Sequence, residues 1–338
     1  ELHYILGNPP FGGKKEQNAS QKQDMTRIFA DVPGASVLDF VTAWYRKAVD
    51  FMADNPAIKT AFVSTNSITQ GEQVGVLWSD LLKRRVRIHF AHRTFQWTGE
   101  ARGKAAVHCV IIGLGLHDTE EKQIVDYEKP QGNPHKIKVK NINPYLLDAP
   151  NTLIERRSYP LVKGIPGLIY GSMPIDHGHL ILSEQEQADL LAACPHAEKY
   201  VRKYVGGDEF INNRPRYCLW LVDGDPADLR LPGLIRDRIE ANQAYRRSSR
   251  RLQTQELAKT PALFGEIRQP STRYLLIPKV SSENRDYIPV GFCSPDMIAS
   301  GTTLIIPMAT LYIFGVLQSG MHMAWMRYTC GRMKSDYQ

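Results

Sequence analysis

The sequence predicts an α/β domain followed by a mixed α+β domain. From His3 to Leu114, short apolar runs of strand length alternate with helical stretches that are apolar on one face. From Lys129 to Pro166, prolines and glycines recur among lysines and asparagines without a sustained period, which is typical of a linker. Beyond this linker, strand and helix patterns follow each other without regular alternation. The 338 residues suffice for two domains, which we expect at residues 1–150 and 151–338.

The composition is that of an ordinary globular protein, with 43% hydrophobic and 23% charged residues. The net charge of +7 permits binding to nucleic acid without requiring it. The five cysteines are scattered and never form a C-x-x-C pair, which argues against a disulfide framework and against a zinc site. No apolar run approaches the roughly 18–20 residues that span a bilayer. We therefore expect a cytoplasmic protein without a membrane segment or a bound metal.

The first element of the chain leads into a rigid corner. The apolar run His3–Leu6 predicts a buried strand, and Asn8-Pro9-Pro10-Phe11 follows it after one glycine. Each proline fixes its own φ at about −65° and pushes the residue before it out of the α region. The corner can therefore hold an amide side chain, free carbonyl oxygens and an aromatic ring in fixed relative positions.

This combination of groups suits chemistry on the exocyclic amine of a nucleobase. Such an amine is a poor nucleophile because its lone pair is delocalised into the ring. Hydrogen bonds to the side-chain oxygen of Asn8 and to the carbonyl of Pro9 would draw the nitrogen toward tetrahedral geometry. Phe11 would stack on a base that is rotated out of the duplex. The alternative is a proline-stiffened turn whose Phe11 side chain lies in the core.

The remaining elements of the first domain follow a regular alternation. Residues 14–34 are polar and predict a long loop, and Ser36 followed by Asp39 is a capping-box-like helix start. From there we expect a helix from Ser36 to Met52, a strand at Lys59–Thr65, a helix from Val74 to Lys83, a strand at Val86–Phe90 and a strand at Ala105–Leu114.

Three polar or aromatic segments are expected near the corner, because ligands of open parallel sheets bind beyond the carboxyl ends of the strands. In the 14–34 loop, Lys14 and Lys15 either grip DNA phosphates or are simply solvated. The run Ser64–Ser67 ends a strand at the same edge, and the sequence leaves open whether it touches a substrate. A loop at residues 92–100 carries Phe95 and Trp97, and the plain interpretation of these two aromatic residues is that they cap the core.

The second domain combines short strands with helices. The predicted strands are His179–Leu182, Tyr217–Val222, Arg273–Pro278, Tyr287–Phe292 and Thr302–Ile306. The predicted helices are one that starts at the capping box of Ser183 and Glu186, one at Leu234–Leu252, and two near the end at Met308–Leu317 and Met321–Tyr328. The pair His177 and His179 lacks a carboxylate or cysteine partner at ligand spacing, so we expect no metal there.

Basic residues of the second domain are candidates for contact with nucleic acid. The helix at Leu234–Leu252 carries six arginines, and four of these are the candidate phosphate contacts Arg246, Arg247, Arg250 and Arg251. A solvated helix face is the alternative meaning of such a run. Lys279 and Arg285 flank Ser281-Ser282 and could read bases or phosphates; the sequence leaves both open.

The corner resembles the catalytic motif of the amino-group DNA methyltransferases, in the N6-adenine form of the gamma-like class. Later segments are similar to further motifs of that family in their order and spacing, namely residues 38–41, 62–68 and 106–111. From about Tyr170 onward, the chain resembles the target-recognition region of single-chain type II restriction–modification enzymes. The matching segments there are residues 171–174, 216–221, 277–283, 321–326 and 330–335.

The resemblance implies a partial doubly wound, Rossmann-like methyltransferase sheet followed by an α+β target-recognition domain. It implies that Asn8, Pro9, Pro10 and Phe11 are catalytic, and that Phe95, or alternatively Trp97, stacks on the second face of a flipped adenine. The implied cofactor is S-adenosylmethionine and the implied partner is double-stranded DNA, with a nuclease possible upstream in a longer parent protein.

One departure from the family concerns the cofactor. The family places its glycine-rich cofactor loop before the Asn-Pro-Pro motif, whereas only seven residues precede Asn8. We therefore expect a fragment that lacks the main cofactor-binding motif and is inactive alone. The rival interpretation is a non-catalytic DNA-recognition module; methylation of RNA or protein is a weaker third. The sequence leaves the DNA target and the oligomeric state undetermined.

Overall fold

The computed structural model describes residues 2–97, 107–160, 162–222, 224, 233–333 and 336–337. Contacts divide the chain into two compact units, one made of residues 1–158 with 324–338 and the other of residues 159–323. The first is built on one mixed sheet with helices, and the second on two smaller sheets with helices. The predicted mixed α/β class is confirmed, whereas the functional division at residue 150 stays a prediction.

The first unit contains a six-stranded sheet in the order β1-β2-β4-β3-β5-β6. Its strands are β1 (Tyr4–Gly7), β2 (Lys59–Thr65), β3 (Arg87–Trp97), β4 (Val107–Gly115), β5 (Lys122–Tyr127) and β6 (Pro134–Val139). Its helices are α1 (Ala19–Ile28), α2 (Thr42–Met52) and α3 (Gly71–Lys83). Strand β1 is parallel to β2 and β3 is parallel to β5, whereas β4 is antiparallel to β2 and β3. The carboxyl ends of β1, β2, β3 and β5 therefore lie at one edge of the sheet.

Helices α2 and α3 bury their apolar faces against this sheet. The Tyr45 ring packs edge-on against Phe62 of β2, with 5.2 Å between the ring centroids. Its hydroxyl lies 2.7 Å from the Ser64 Oγ, and both groups are buried. Trp78 of α3 donates its indole N–H to the carbonyl of Ile68 over 2.8 Å. The helices thereby fix the carboxyl end of β2 and the turn that follows it.

The second unit contains two four-stranded sheets, in the orders β13-β9-β10-β8 and β12-β11-β14-β7. The strands are β7 (Ile169–Tyr170), β8 (Ile181–Leu182), β9 (Val201–Val205), β10 (Tyr217–Leu219), β11 (Tyr274–Pro278), β12 (Gly291–Cys293), β13 (Ile298–Ala299) and β14 (Thr303–Pro307). The helices are α4 (Glu184–Ala193), α5 (Gly207–Asn212), α6 (Gly233–Arg247), α7 (Leu252–Glu256) and α8 (Leu311–Leu317).

The chain closes with α9 (Gly320–Thr329) and the antiparallel pair β15 (Arg332–Met333) and β16 (Asp336–Tyr337). No helix within the described part of the chain combines the length and the hydropathy that a bilayer span requires.

Several predicted elements are confirmed with their bounds. Strand β2 begins at Lys59 and ends at Thr65, as its apolar run indicates. Helix α4 begins at the predicted capping box, in which Ser183 accepts from the Glu186 amide at 3.2 Å and Glu186 accepts from the Ser183 amide at 2.8 Å. Side-chain patterns that act over a few residues therefore predict these elements well.

The predicted loop at residues 14–34 is wrong, because helix α1 lies within it. Its N-cap is Asn18, whose side chain accepts from the amide of Gln21 at 2.9 Å, while the Gln21 side chain accepts from the Asn18 amide at 3.0 Å. This capping box uses the less common pair Asn and Gln. Met25 is the buried residue of the helix, so its apolar pattern is too short to be recognised.

The predicted start of α2 is also wrong. The helix begins at Thr42, six residues after Ser36. Asp39 does not cap it with its side chain, because that carboxylate accepts hydrogen bonds from Thr65, Ser67 and Gln73. Long-range bonds have taken the place of the local cap.

Strand β3 extends through most of the predicted loop at residues 92–100. Phe95 pairs with Cys109 and Trp97 with Val107 in β4, so both aromatic residues belong to the sheet. The loop prediction is wrong for residues 92–97, and residues 98–106 lie outside the described residues. Register shifts between Ile88 and Phe90 and between His92 and Phe95 interrupt the alternation by which the strand would be recognised.

Two further predictions need correction. Strand β6 lies inside the predicted linker; all but the last of its residues are exposed, so it shows no apolar alternation. The predicted helix at Leu234–Leu252 ends at Arg247 instead. There the Ser248 hydroxyl donates to the Tyr245 carbonyl at 2.9 Å, a local bond that competes with continued helix.

Candidate catalytic site

The Asn-Pro-Pro-Phe corner stands at the carboxyl edge of the sheet, directly after β1. Gly7, the last residue of β1, is paired with Phe62 of β2. Asn8 and Pro10 are exposed, Pro9 is buried, and Phe11 is half-buried against the core. The described residues supply no hydrogen-bond partner to the Asn8 side chain. The amide is therefore held on a fixed backbone and is open to an incoming group.

The chain beyond the corner is tied to the segment 38–40. The carbonyl of Gly12 accepts from the Phe40 amide at 2.8 Å and from the side chain of Gln17 at 3.2 Å. The same Gln17 nitrogen also donates to the carbonyl of Leu38 at 3.0 Å, and Gln17 is buried. A β-carbon at Gly12 would lie 3.3 Å from the Cβ of Phe40, so glycine permits this close approach.

A network of neutral donors surrounds the carboxylate of Asp39. Thr65 donates its hydroxyl to Asp39 Oδ2 at 3.0 Å, and the Ser67 hydroxyl donates to the same oxygen. Gln73 donates to Asp39 Oδ1 at 3.2 Å and accepts from the Asp39 backbone amide at 2.9 Å. Asp39 is buried, and this network joins the end of β2 to the start of α3. The polar run Ser64–Ser67 thus has a defined structural partner.

A cleft of about 680 Å³ opens beside the corner. Its aromatic wall includes Phe40 and Trp44, which meet edge-on with 5.0 Å between centroids. Charged side chains also line it, namely Asp24, Arg27 and Lys47. Asn8, Pro9 and Pro10 form part of the same wall. An apolar cleft with a few charged groups is suited to a small amphipathic ligand.

A second aromatic group lies at the ends of β3 and β5. The Phe95 ring stacks on Tyr127 with 5.5 Å between centroids and 29° between planes, and Trp97 lies 6.1 Å from Phe95. The Nδ1 atom of His92 is 2.8 Å from the Tyr127 hydroxyl. Burial, with a smaller contribution from Lys136, lowers the pKa of His92. Sequence reasoning missed Tyr127, because it ends a strand that pairs with an exposed edge.

The corner and this aromatic group are separated along the sheet. Between β1 and β3 lie β2 and β4, which corresponds to roughly 14 Å at the usual strand spacing. Tyr127 already covers one face of Phe95, whereas the Trp97 side chain is 44% exposed. The stacking roles of Phe95 and Trp97 stay predictions.

Arg246 is not available to a phosphate, so its predicted role is wrong. Its side chain is fully buried and donates all five of its N–H groups to backbone carbonyls. The acceptors are Pro174, Ile175, Leu257, Thr260 and Leu263, at 2.7 to 3.0 Å. This arginine joins helix α6 to two distant segments of its own unit.

The remaining basic candidates differ in exposure. Lys14, Lys15, Arg247, Arg250 and Arg251 are exposed. Lys279 and Arg285 are half-buried, and the Lys279 ammonium lies 5.4 Å from the centroid of the Tyr170 ring. Two other arginines of α6 have acidic partners: Arg236 contacts Glu240 and Arg238 contacts Glu186. Among the predicted contacts, the exposed arginines thus lie at the end of α6 and in the turn that follows it.

No metal site is found within the described ranges. No group of three or more His, Cys, Asp or Glu side chains there has a geometry that could hold an ion. His177 instead stacks on Tyr245, with 5.2 Å between centroids and 19° between planes.

Two family models match the chain. One, described as "MmeI, DNA-methyltransferase domain", covers residues 1–126, and the other, "MmeI, target recognition domain", covers residues 148–338. These matches define the class as a DNA methyltransferase with a target recognition domain. The chain belongs to the MmeI family, and the predicted resemblance is confirmed.

Individual relatives agree with this assignment. DNA methyltransferase A of Bacillus subtilis (strain 168) is 39% identical over 335 residues, which is 99% of this chain and 37% of that protein. The solved structure of the type IIL restriction–modification enzyme MmeI in complex with DNA is 49% identical, with a TM-score of 0.93 over 99% of this chain and 45% of that one. The chain thus spans less than half the length of these two relatives.

Proposed function

We propose that the protein to which this chain belongs is a site-specific DNA methyltransferase of a restriction–modification system that acts on N6 of adenine. The observation that carries the proposal is the Asn8 amide, which stands exposed and unbonded at the end of β1 beside a cleft. Family membership supports methyl transfer to DNA, and the Asn-Pro-Pro-Phe form of the motif supports the adenine amine as the acceptor.

The corner would act by accepting hydrogen bonds. The Asn8 side-chain oxygen and the Pro9 carbonyl would take the two hydrogens of the amine and draw its nitrogen toward tetrahedral geometry. Phe11, half-buried against the core, would present its ring to the extruded base. No general base is needed before the attack, because the proton can leave after the amine has become cationic.

The cleft beside the corner fits S-adenosylmethionine in character. Phe40 and Trp44 would contact the purine, while Arg27 or Lys47 would hold the carboxylate. When bound, this cofactor supplies an electrophilic methyl group. We propose that the corner and this cleft supply only one wall of the cofactor site, so that the chain alone binds S-adenosylmethionine too weakly to detect and transfers no methyl group. Titration calorimetry with the chain tests this expectation, and clear binding contradicts it.

Double-stranded DNA is the proposed partner. The proposed contacts are the exposed or half-buried cations Lys14, Lys15, Arg247, Arg250, Arg251, Lys279 and Arg285. The MmeI structure is that of a DNA complex, which supports this choice of partner. Because MmeI is a restriction–modification enzyme, a nuclease elsewhere in the longer protein also belongs to the proposal.

The test uses the longer protein and an Asn8→Ala variant. Methyl transfer to duplex DNA is measured by mass spectrometry of the nucleosides, which identifies N6-methyladenine directly. The variant should lose at least about 100-fold in rate while it binds DNA normally, because its lost bonds matter most in the transition state. Asn133→Ala, at an exposed asparagine of the first unit, is the matched control.

Two results would contradict the proposal. An Asn8→Ala enzyme with unchanged rate would remove the corner from catalysis. A longer protein that binds DNA specifically but methylates no base would favour the alternative of a DNA-recognition module.

A further inference from the structure

We propose that Asp39 is a positioning residue for the catalytic corner, acting through the segment 38–40. This inference rests on the proposed function, because it assigns a new residue to the same site. Asp39 is not one of the residues that line the cleft, and the side-chain partners of its carboxylate are Thr65, Ser67 and Gln73, not Asn8. Its influence passes through the backbone to which the corner is tied.

The first step is the bond between the corner and this segment. The Phe40 amide donates to the Gly12 carbonyl, one residue after Phe11. Gln17 reinforces this link by donating to Gly12 and to Leu38 together. A shift of the segment 38–40 would therefore move the end of the corner that carries the Phe11 ring.

The second step is what holds the segment itself. Thr42 at the start of α2 donates two hydrogen bonds to the Asp39 carbonyl. Its backbone amide donates at 3.0 Å and its hydroxyl at 2.7 Å, so the segment is connected to α2. The Asp39 side chain provides the link to the end of β2 and to α3, through Thr65, Ser67 and Gln73. One carboxylate thus aligns the corner with the carboxyl end of the neighbouring strand.

The third step concerns the charge of Asp39. The described residues place no lysine, arginine or histidine within ion-pair distance of this buried carboxylate. Burying a charge without a cation is costly, and neutral donors must offset the cost. All three side-chain partners are donors and they use both oxygens, which an asparagine amide cannot reproduce because it has a single acceptor oxygen. An ionised carboxylate at residue 39 is therefore needed to accept all three side-chain hydrogen bonds that fix the segment.

Because Gln73 bonds with Asp39, the negative charge can be moved from residue 39 to residue 73 while the hydrogen bonds between them are kept. In Asp39→Asn, the new NH₂ would face the Gln73 NH₂. Gln73 cannot rotate its amide, because its oxygen accepts from the Asp39 backbone amide. In the double variant Asp39→Asn/Gln73→Glu, the new amide donates to the new carboxylate, which also accepts the backbone N–H. Thr65 and Ser67 keep an acceptor at residue 39.

The test measures both methyl transfer and amide hydrogen exchange in the longer protein. Asp39→Asn should lower kcat about 100-fold with KM for DNA nearly unchanged, as expected for a small misplacement of reacting groups. It should also speed hydrogen exchange at the Phe40 amide. The double variant should recover most of both losses. Gln73→Ala, at a half-buried helix position where folding is expected to survive, should lower kcat about tenfold.

The control is Asp54→Asn, at an exposed aspartate. Thermal unfolding must show that each variant is folded at the assay temperature. The proposal is overturned if folded Asp39→Asn keeps both its kcat and its Phe40 protection, or if the folded double variant stays as slow as the single one. If the unmodified longer protein methylates nothing, the proposed function fails, while the exchange data still decide whether Asp39 anchors the segment.

Discussion

Arg46 in the first unit and Arg246 in the second are both buried, but different groups surround their guanidinium groups. Arg46 contacts three carboxylates, those of Asp31, Asp50 and Asp80, at 3.0 to 3.2 Å. Arg84 contacts the same three aspartates at 2.9 to 3.4 Å. Arg246 has five carbonyl acceptors within hydrogen-bond distance.

The difference separates two ways of using a buried cation. Arg46 is neutralised by carboxylates from three places: Asp50 on α2, Asp80 on α3, and Asp31, which follows α1. Arg246 instead donates to five backbone carbonyls and thereby connects segments that are far apart in sequence. The first arrangement depends on ionisation, and it contains a second arginine, Arg84, that contacts the same carboxylates. The second depends on the donor geometry of arginine alone.

The largest effect is expected for Arg246→Lys. Lysine has three donors in place of five, so at least two buried carbonyls lose their partners, at a cost of about 4 kcal/mol in the free energy of unfolding. Urea unfolding of this chain checks the value. The control Arg247→Lys, at the next and exposed position, should change stability by no more than about 0.5 kcal/mol. Equal effects at the two positions would show that the five carbonyl bonds of Arg246 do not stabilise the fold.

Arg46→Met should lower the free energy of unfolding by about 3 kcal/mol, which is less than the effect of Arg246→Lys. The loss leaves three aspartates close together, but Arg84 still contacts all of them. Unfolding of the same chain under the same conditions gives the ranking, with Lys83→Met as an exposed control. A cost larger than that of Arg246→Lys would show that Arg84 does not compensate.

The exposed arginines next to Arg246 should affect DNA binding rather than stability. Reversing Arg247 and Arg250 to glutamate should weaken binding similarly for all sequences. It should also flatten the dependence of log K on log salt by about 0.9 for each phosphate that the protein no longer neutralises. Fluorescence anisotropy at several salt concentrations measures both quantities. A double variant with the parent's affinity and slope would remove this surface from the DNA interface.

The smallest effect concerns acid. The hydrogen bond from Arg46 is the main cause that lowers the pKa of Asp31 in the folded state. A carboxyl whose folded pKa is depressed contributes stability above its unfolded pKa of about 4 and loses it as the pH falls through the lower folded value. The chain should therefore lose more stability between neutral and acid pH than its Asp31→Asn variant does. Parallel pH profiles for the two would show that Asp31 contributes nothing.

The sequence predicts what depends on neighbours in the chain and misses what depends on distant ones. The Asn8–Phe11 corner, strand β2 and the Ser183 cap are all recognisable within a few residues. Arg246 and Arg247 look equivalent in the sequence, and only the carbonyls of residues 174, 175 and 257–263 distinguish them. Asp39 has the local pattern of a cap, but Thr65 and Gln73 bind its side chain.

The cap at Asn18 limits the backbone freedom of the segment next to the corner, which bears on the base capture that we propose. Between Gly12, whose carbonyl is held by two donors, and Asn18, where α1 begins, the chain has only a short turn, closed by bonds from the Glu16 and Gln17 amides to the Gly13 carbonyl. Few backbone conformations are left for this segment to lose when a base arrives. In the base capture that we propose, the entropic and unstacking cost would therefore fall mainly on the DNA.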